Sequence, residues 1–513
     1  MKRLIVFCDG TWNTPEQDEL ELPAPTNVIR LRNALTPRDA RNQEQRVYYH
    51  TGVGTEGSFL ERTAGGLYGA GLGHNIMSAY AWLGSHYEPG DLIYLFGFSR
   101  GAFTARSIGG MLNLTGLLNL TGLDPAEKWT RVEKVYEKAY RNHAPNWRPA
   151  DWPAFHDRAT PVEFIGVWDT VGALGIPDDL ALLNLLDNAK NWRFHETSLG
   201  DNVRFARHAI ALDERRASFT PTLWTQPDSD LPLPNSNRVK QLWFPGVHSD
   251  VGGGYLECGL SDLALKWMID EAAATGLEFE TAMTVQVKPD PRGPKHDSLR
   301  GVFKLLRTRP RAIPGFDDAS IHVGAIDRHY TPPITESPYH PTERLAPGAT
   351  TQHAVYAVER WNALGLYLEA GATYRFSATG EWLDRDIPCG PKGMRDGKFH
   401  PGEIAHVIGN ITGKLEAAFR SITKNPAADF WGTRRVEKMP WFSLVGCIAN
   451  DGPTTDISML NDGSPSAHQV FLIGEGCELK VEEPGYLFAF ANDAWSFYDN
   501  NRGSVNLTVQ RTV

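Results

Sequence analysis

Cysteine is scarce and scattered: Cys8, Cys258, Cys389, Cys447 and Cys477 are odd in number, far apart and never in a Cys-x-x-Cys pair. Such spacing suggests neither a disulfide framework nor a zinc site, and it fits a reducing compartment. Long apolar runs are missing too. No stretch approaches the roughly 20 apolar residues of a membrane span, so any membrane contact is expected at the surface. The N-terminal "MKRLIVFCDGTWN" has too short an apolar run for a signal-peptide core, so it reads as a first buried strand, and the protein as cytoplasmic when synthesised. Positive charge is not in excess: 51 Lys and Arg stand against 61 Asp and Glu, a net charge of −10, and the basic residues form no patch. This argues against a phosphate-backbone binder, and no nucleic-acid partner is expected. Internal repeats and low-complexity tracts are also lacking.

What is present divides the chain. At 513 residues it exceeds one ordinary core, so two domains are expected. Up to about residue 280 short apolar strands alternate with helical segments. The strands are Leu4 to Cys8, Val47 to His50, Leu92 to Phe96, Val162 to Trp168 and Gln241 to Val247, and the helices Asn27 to Leu35, His74 to Tyr87 and Ser261 to Thr275. Alternation with continuously apolar strands predicts a mostly parallel sheet covered by helices on both faces. This domain is assigned to residues 1–345, with a proline-rich arm and linker at about 283–350, where "RTRPRAIPG" and "TPPITESPYHPTERLAPG" fall. Short strand-like runs split by turns then predict a β-sandwich over 354–513, interrupted by a helical insertion at about 403–424.

One stretch carries chemistry. "DLIYLFGFSRGAFTAR" runs from an apolar strand through Gly97-Phe98-Ser99-Arg100-Gly101 into a helix. A serine hydroxyl needs a base to take its proton and a third group to hold that base. On a tight strand-to-helix turn the serine projects above the sheet, flanking glycines avoid backbone clashes, and the Arg100 N–H can face a developing oxyanion. The elbow predicts an acid and then a histidine, each past a later strand end. Asp169 in "VEFIGVWDTVGALG" and His248 in "QLWFPGVHSDVGGGY" occur in that order. Asp213 in "HAIALDERR" and Asp250 are rival acids, Asp250 reading better as a brace for its loop. "CDGTWN" offers a second oxyanion donor from Gly10 or Thr11, with Asp9 organising the loop as the alternative.

Together "FCDGTWN", "GFSRGAFTAR", "GVWDTVG", "HAIALDERR" and "WFPGVHSDVGGGY" resemble the α/β-hydrolase family that includes bacterial type VI secretion phospholipase effectors, over roughly residues 1–330. The resemblance implies a triad of Ser99, Asp169 and His248, an α/β-hydrolase-like fold, catalysis without a cofactor, and a phospholipid or other acyl ester as substrate. It also implies export by type VI secretion, with delivery and immunity proteins as partners. The C-terminal "GYLFAFANDAWSFYDNNRGSVNLTV" resembles the calcium loop and last strands of the small galactose-binding bacterial lectin. That resemblance implies a calcium ion held by Asp493, Asn500 and Asn501 with the Phe497 carbonyl, and another carbonyl at Asp384 or Arg385. One carboxylate, two amides and carbonyls on a tight loop suit an ion that takes six to eight oxygens. The lectin's His-Pro-x-Gln sugar contact stands here as His400-Pro401-Gly402-Glu403, with Glu in place of Gln.

The leading expectation is a serine hydrolase acting on lipid acyl esters, directed to a glycan or membrane surface by its sandwich. A non-lipid carboxylesterase, and a calcium lectin on an inactive hydrolase scaffold, are the alternatives.

Overall fold

The computed structural model describes residues 1–10, 18–19, 22–51, 67–144, 147–156, 159–171, 198–226, 231–299, 307–393, 435–436, 438–450, 468–495 and 497–513. Six strands build the N-terminal sheet: β1 Arg3–Cys8, β2 Gln45–His50, β3 Leu92–Phe98, β4 Val162–Trp168, β5 Val203–Ala211 and β6 Val239–Phe244. They are all parallel, in the order β2-β1-β3-β4-β5-β6. Side chains alternate between two covered faces. Leu4, Val6 and Cys8 point into one core, and Ile5 and Phe7 into the other. The first core is closed by α2 (Leu67–His86) and α3 (Arg100–Thr115), and the second by α1 (Asn27–Ala34) and α6 (Gly259–Ala273). Burial on both faces is why these strands read as unbroken apolar runs.

The order reverses at β1, whose neighbours are β2 on one side and β3 on the other. Parallel sheets open a crevice at such a switch point, at the carboxyl ends of the strands. Register sets the residues around it level: Cys8 lies beside Gly97, and Phe98 beside Trp168. The next residue of each strand is therefore Asp9, Ser99 or Asp169.

Among the elements that escape a reading of the sequence are the helix α4 (Pro125–Lys134), a strand and a helix of the arm. Strand β5 is hidden by Arg204, Arg207 and His208, which break the apolar pattern. Arg207 is buried there because Glu271 of α6 takes its Nε at 2.5 Å. Within the proline-rich arm a short helix, Val323–Tyr330, is capped by the His322 side chain, which accepts from the Gly324 N–H at 3.1 Å.

The C-terminal strands are antiparallel and form two sheets. One contains β8 (Asn362–Leu368), β15 (Gly485–Ala491), β12 (Leu444–Ala449) and β13 (Gln469–Leu472); the other is built on β16 (Asn501–Arg511), flanked by β7 (Thr350–Tyr356) and β9 (Thr373–Thr379), with β10 (Trp382–Asp384) also on β16, β11 (Ile387–Cys389) beside β10 and β14 (Gly476–Lys480) beside β9. The two inner faces share a core that includes Leu366, Phe376, Leu487 and Leu507, the layered packing of a β-sandwich. Strand β7 starts ahead of residue 354, because Thr350–His353 already pair with Leu507–Gln510. The expected helical insertion at 403–424 lies outside the described residues.

Candidate active site

Ser99 sits at φ 58°, ψ −124°, between the end of β3 and the first turn of α3. A non-glycine residue rarely adopts this conformation, and it persists only where its surroundings impose it. Here they do. A Cβ on Gly97 would lie 2.3 Å from the Gly101 carbonyl oxygen, and one on Gly101 would lie 2.1 Å from that of Cys8. The Ser99 N–H donates to the Trp168 carbonyl at 3.0 Å, tying the elbow to the end of β4. Ser99 is buried, and Arg100 begins α3, where helix amides concentrate positive potential.

Asp169 follows β4 at φ 38° and is fully buried. Its Oδ2 lies 2.6 Å from His248 Nδ1, and its Oδ1 accepts the Ala211 N–H at 2.9 Å. The Arg311 guanidinium grips the same carboxylate with both nitrogens, Nη1 to Oδ1 at 2.6 Å and Nη2 to Oδ2 at 2.9 Å. Burial alone would raise the Asp169 pKa, but Arg311 and the bond to His248 hold it well below the usual carboxylate range. His248 opens the short helix α5 (His248–Gly252) past β6. Its ring is fixed between Phe98, 4.6 Å away by centroid, and the edge-on Phe219 at 4.9 Å. Burial lowers its pKa below 6.5, outweighing the pull of Asp169 in the opposite direction. With Nδ1 turned to the carboxylate, Nε2 is the nitrogen left to act as base.

The rival acids serve elsewhere. Asp213 bonds His340 Nε2 at 3.0 Å and accepts from the Tyr339 hydroxyl and the Gly246 N–H, both at 2.7 Å. Asp250 accepts the Val247 N–H at 2.9 Å and pairs with His296 Nδ1 at 2.6 Å, bracing its loop. In the loop after β1 the Gly10 N–H donates to the Asp9 carboxylate at 2.7 Å, so this expected oxyanion donor already has a partner. Asp9 also takes the hydroxyls of Thr26, the N-cap of α1, at 2.9 Å and of Tyr49 at 3.0 Å, so it organises the loop. Thr11 lies outside the described residues, as do His400 and Glu403. Sequence reasoning missed Arg311, which is 142 residues from its partner. The one available hint was that a buried aspartate needs a cation.

In the sandwich, Asp493 is buried, accepts the Ala494 N–H at 2.7 Å and takes Asn501 Nδ2 at 3.0 Å. The side-chain oxygens of both Asn500 and Asn501 are buried without a hydrogen-bond partner. Asp384 pairs in register with Asn501, which brings the turn at Arg385, φ 58°, beside this loop. Phe497 lies at the head of the same loop, one residue before the turn Tyr498–Asn500. Among the described residues His, Cys, Asp and Glu form no metal cluster of three or more. The donor set here is instead one carboxylate with amide and carbonyl oxygens, and the orphaned oxygens fit calcium.

A parallel sheet wound about a switch point, a serine at its strand-to-helix elbow and an aspartate-bound histidine past later strands define an α/β-hydrolase-like protein. The chain belongs to the type VI secretion Tle1-like phospholipase effectors, whose catalytic-domain model matches residues 2–271. A stretch of 264 residues, 47% of this chain, is 32% identical to the uncharacterized protein YEL023C of Saccharomyces cerevisiae and covers 35% of that protein. Solved structures similar in part include an uncharacterized protein from Pseudomonas aeruginosa, at 20% identity over 57% of this chain and 49% of the other, TM-score 0.35. The Tle1 effector bound to the VgrG spike of the type 6 secretion system aligns at 18% over 50% of this chain and 51% of the other, TM-score 0.28. The PllA-like lectin N-terminal domain of EclA aligns at 15% over 31% of this chain and 94% of the other, TM-score 0.18. The chain thus spans about half the length of the first and second of these structures. No described helix is long and apolar enough to cross a membrane.

Proposed function

We propose that the protein is a serine hydrolase that cleaves acyl esters of phospholipids. The observation that carries this reading is the 2.6 Å contact between Asp169 and His248 at the same sheet edge as the strained Ser99 elbow. In this mechanism His248 Nε2 takes the Ser99 hydroxyl proton as Oγ attacks the ester carbonyl, and Asp169 holds the imidazole by Nδ1–H and stabilises the imidazolium. The Arg100 N–H faces the oxyanion, with Thr11 the remaining candidate for a second donor. The tetrahedral adduct expels the alcohol, which leaves with the proton from His248, and water repeats the sequence on the acyl-enzyme.

The sandwich is read as a calcium-dependent module for a glycan or membrane surface. Asp493, Asn500 and Asn501 would hold the ion, with carbonyls of Phe497 and of Asp384 or Arg385. Bound there, calcium would supply the charge that the loop's oxygens call for. Family membership supports type VI delivery, with a spike protein and an immunity protein as partners. The test is hydrolysis of a graded acyl set, from short p-nitrophenyl esters to labelled phospholipid vesicles, by the parent and Ser99→Ala, with and without a chelator. Vesicle hydrolysis that vanishes in Ser99→Ala supports the reading; a parent that turns over no ester sinks it.

A further inference from the structure

Arg311 comes from the proline-rich arm, and the segment carrying it is held on two sides. On the hydrolase side Arg309 N donates to the Arg215 carbonyl at 2.7 Å, Ala217 N donates to the Arg307 carbonyl at 3.1 Å, and Thr308 bridges Arg216. On the sandwich side Trp361 Nε1 donates to the Thr308 carbonyl at 3.2 Å, and His468 bonds the Pro310 carbonyl through Nε2 at 2.7 Å. His468 Nδ1 lies 3.3 Å from Arg309 Nη2. Arg311 itself is buried and also donates to the carbonyls of Ala211 at 2.5 Å and Phe219 at 2.6 Å. One side chain therefore orients the carboxylate that binds His248 and the backbone of the phenylalanine that packs against the imidazole.

We propose that Arg311 is a positioning residue for the Asp169–His248 pair, and that Trp361 and His468 of the sandwich hold it in place, so that the C-terminal domain forms part of the support of the active site. The inference rests on the triad reading above. Bidentate guanidinium–carboxylate pairs fix orientation as well as charge, which a single ammonium cannot reproduce. The charged and titratable groups facing the pair are Arg311 and His208 towards Asp169, and Glu214 and Arg216 towards His248. Removing only the Arg311 charge leaves the carboxylate to favour the imidazolium. The acid limb of the rate profile then moves to higher pH.

The test is kcat, KM and the pH profile of kcat/KM on a short p-nitrophenyl ester, for full-length protein, with thermal melting alongside. Arg311→Met is expected to lower kcat roughly tenfold to a hundredfold with little change in KM, and to shift the acid limb upward by about one unit. Arg311→Lys keeps the charge and loses the fork, so its acid limb stays with the parent while kcat still falls. His468→Phe keeps the ring volume and is expected to lower kcat roughly twofold to tenfold. An Arg311→Met profile that superimposes on the parent overturns the proposal. If that variant does not fold, parental kcat in Arg311→Lys overturns it equally. Parental kcat in His468→Phe removes the sandwich from the support. Hydrolysis that survives Ser99→Ala strikes the triad reading instead, so the two failures can be told apart.

Discussion

Asp169 in the parallel-sheet domain and Asp493 in the sandwich are both buried carboxylates just past strand ends. Their charges are answered differently. Asp169 has a guanidinium, an imidazole and a backbone N–H from its own chain. Asp493 has the Asn501 amide and the Ala494 N–H, and beside it two amide oxygens face no donor. A buried charge must be paired or bound to an ion. The first site is complete as the chain folds, and can hold a base in register for chemistry. The second leaves the side-chain oxygens of Asn500 and Asn501 without a donor, so under the calcium reading proposed above its order should depend on what the solution contains.

The two carboxylates should differ most in the chemistry they support. Ser99→Ala should remove ester hydrolysis by roughly 10⁴-fold or more while melting like the parent, because it deletes the nucleophile and none of the Asp169 contacts. Asp169→Asn should cost roughly 10⁴ in kcat and destabilise the fold by about 3–5 kcal/mol, since it strands the Arg311 charge in the interior. Denaturant melts set beside kcat would expose a carboxylate that matters to neither. Calcium sharpens the other side. The ion should stabilise the parent by about 2.7 kcal/mol at a hundredfold excess over its Kd. Asn500→Ala should abolish that gain without lowering the metal-free melting temperature, since the deleted oxygen has no protein partner. A metal-free loss in the variant would mean the loop is only structural.

Acid sensitivity should be shared by both regions. Burial brings His208 of β5 and His468 of the sandwich down to about 3, and His322 of the arm to about 4. The unfolded chain takes up these protons near pH 6.5 and the folded one does not. Stability is therefore full above about 6.5 and declines as pH falls toward 4, by up to about 1.4 kcal/mol per pH unit for each histidine. A melting temperature flat from pH 7 to 4.5 would contradict this.

The fold class and the Ser99 elbow were legible because each depends on short-range geometry. Two glycines two residues either side of Ser99 are needed by backbone contacts within the same turn and the adjoining strand. Continuous apolar runs mark strands covered on both faces. Strand β5 was obscured because its buried Arg207 finds its partners, Glu271 and the carbonyls of Asn237 and Arg238, on other segments. The loop after β1 was half legible: "CDGTWN" suggested a turn, but that Gly10 gives its amide to the Asp9 carboxylate is a feature of the fold.

By itself the amino-acid sequence determined the elbow, the order of serine, aspartate and histidine, and the oxygen-rich loop near the C-terminus, since these are matters of local sterics and residue chemistry. Tertiary structure alone decided which aspartate reaches His248, that Arg311 balances it, and that the sandwich grips the segment carrying Arg311. These depend on which distant segments pack together in an interior where every buried charge needs a partner, and spacing along the chain does not reveal that pairing.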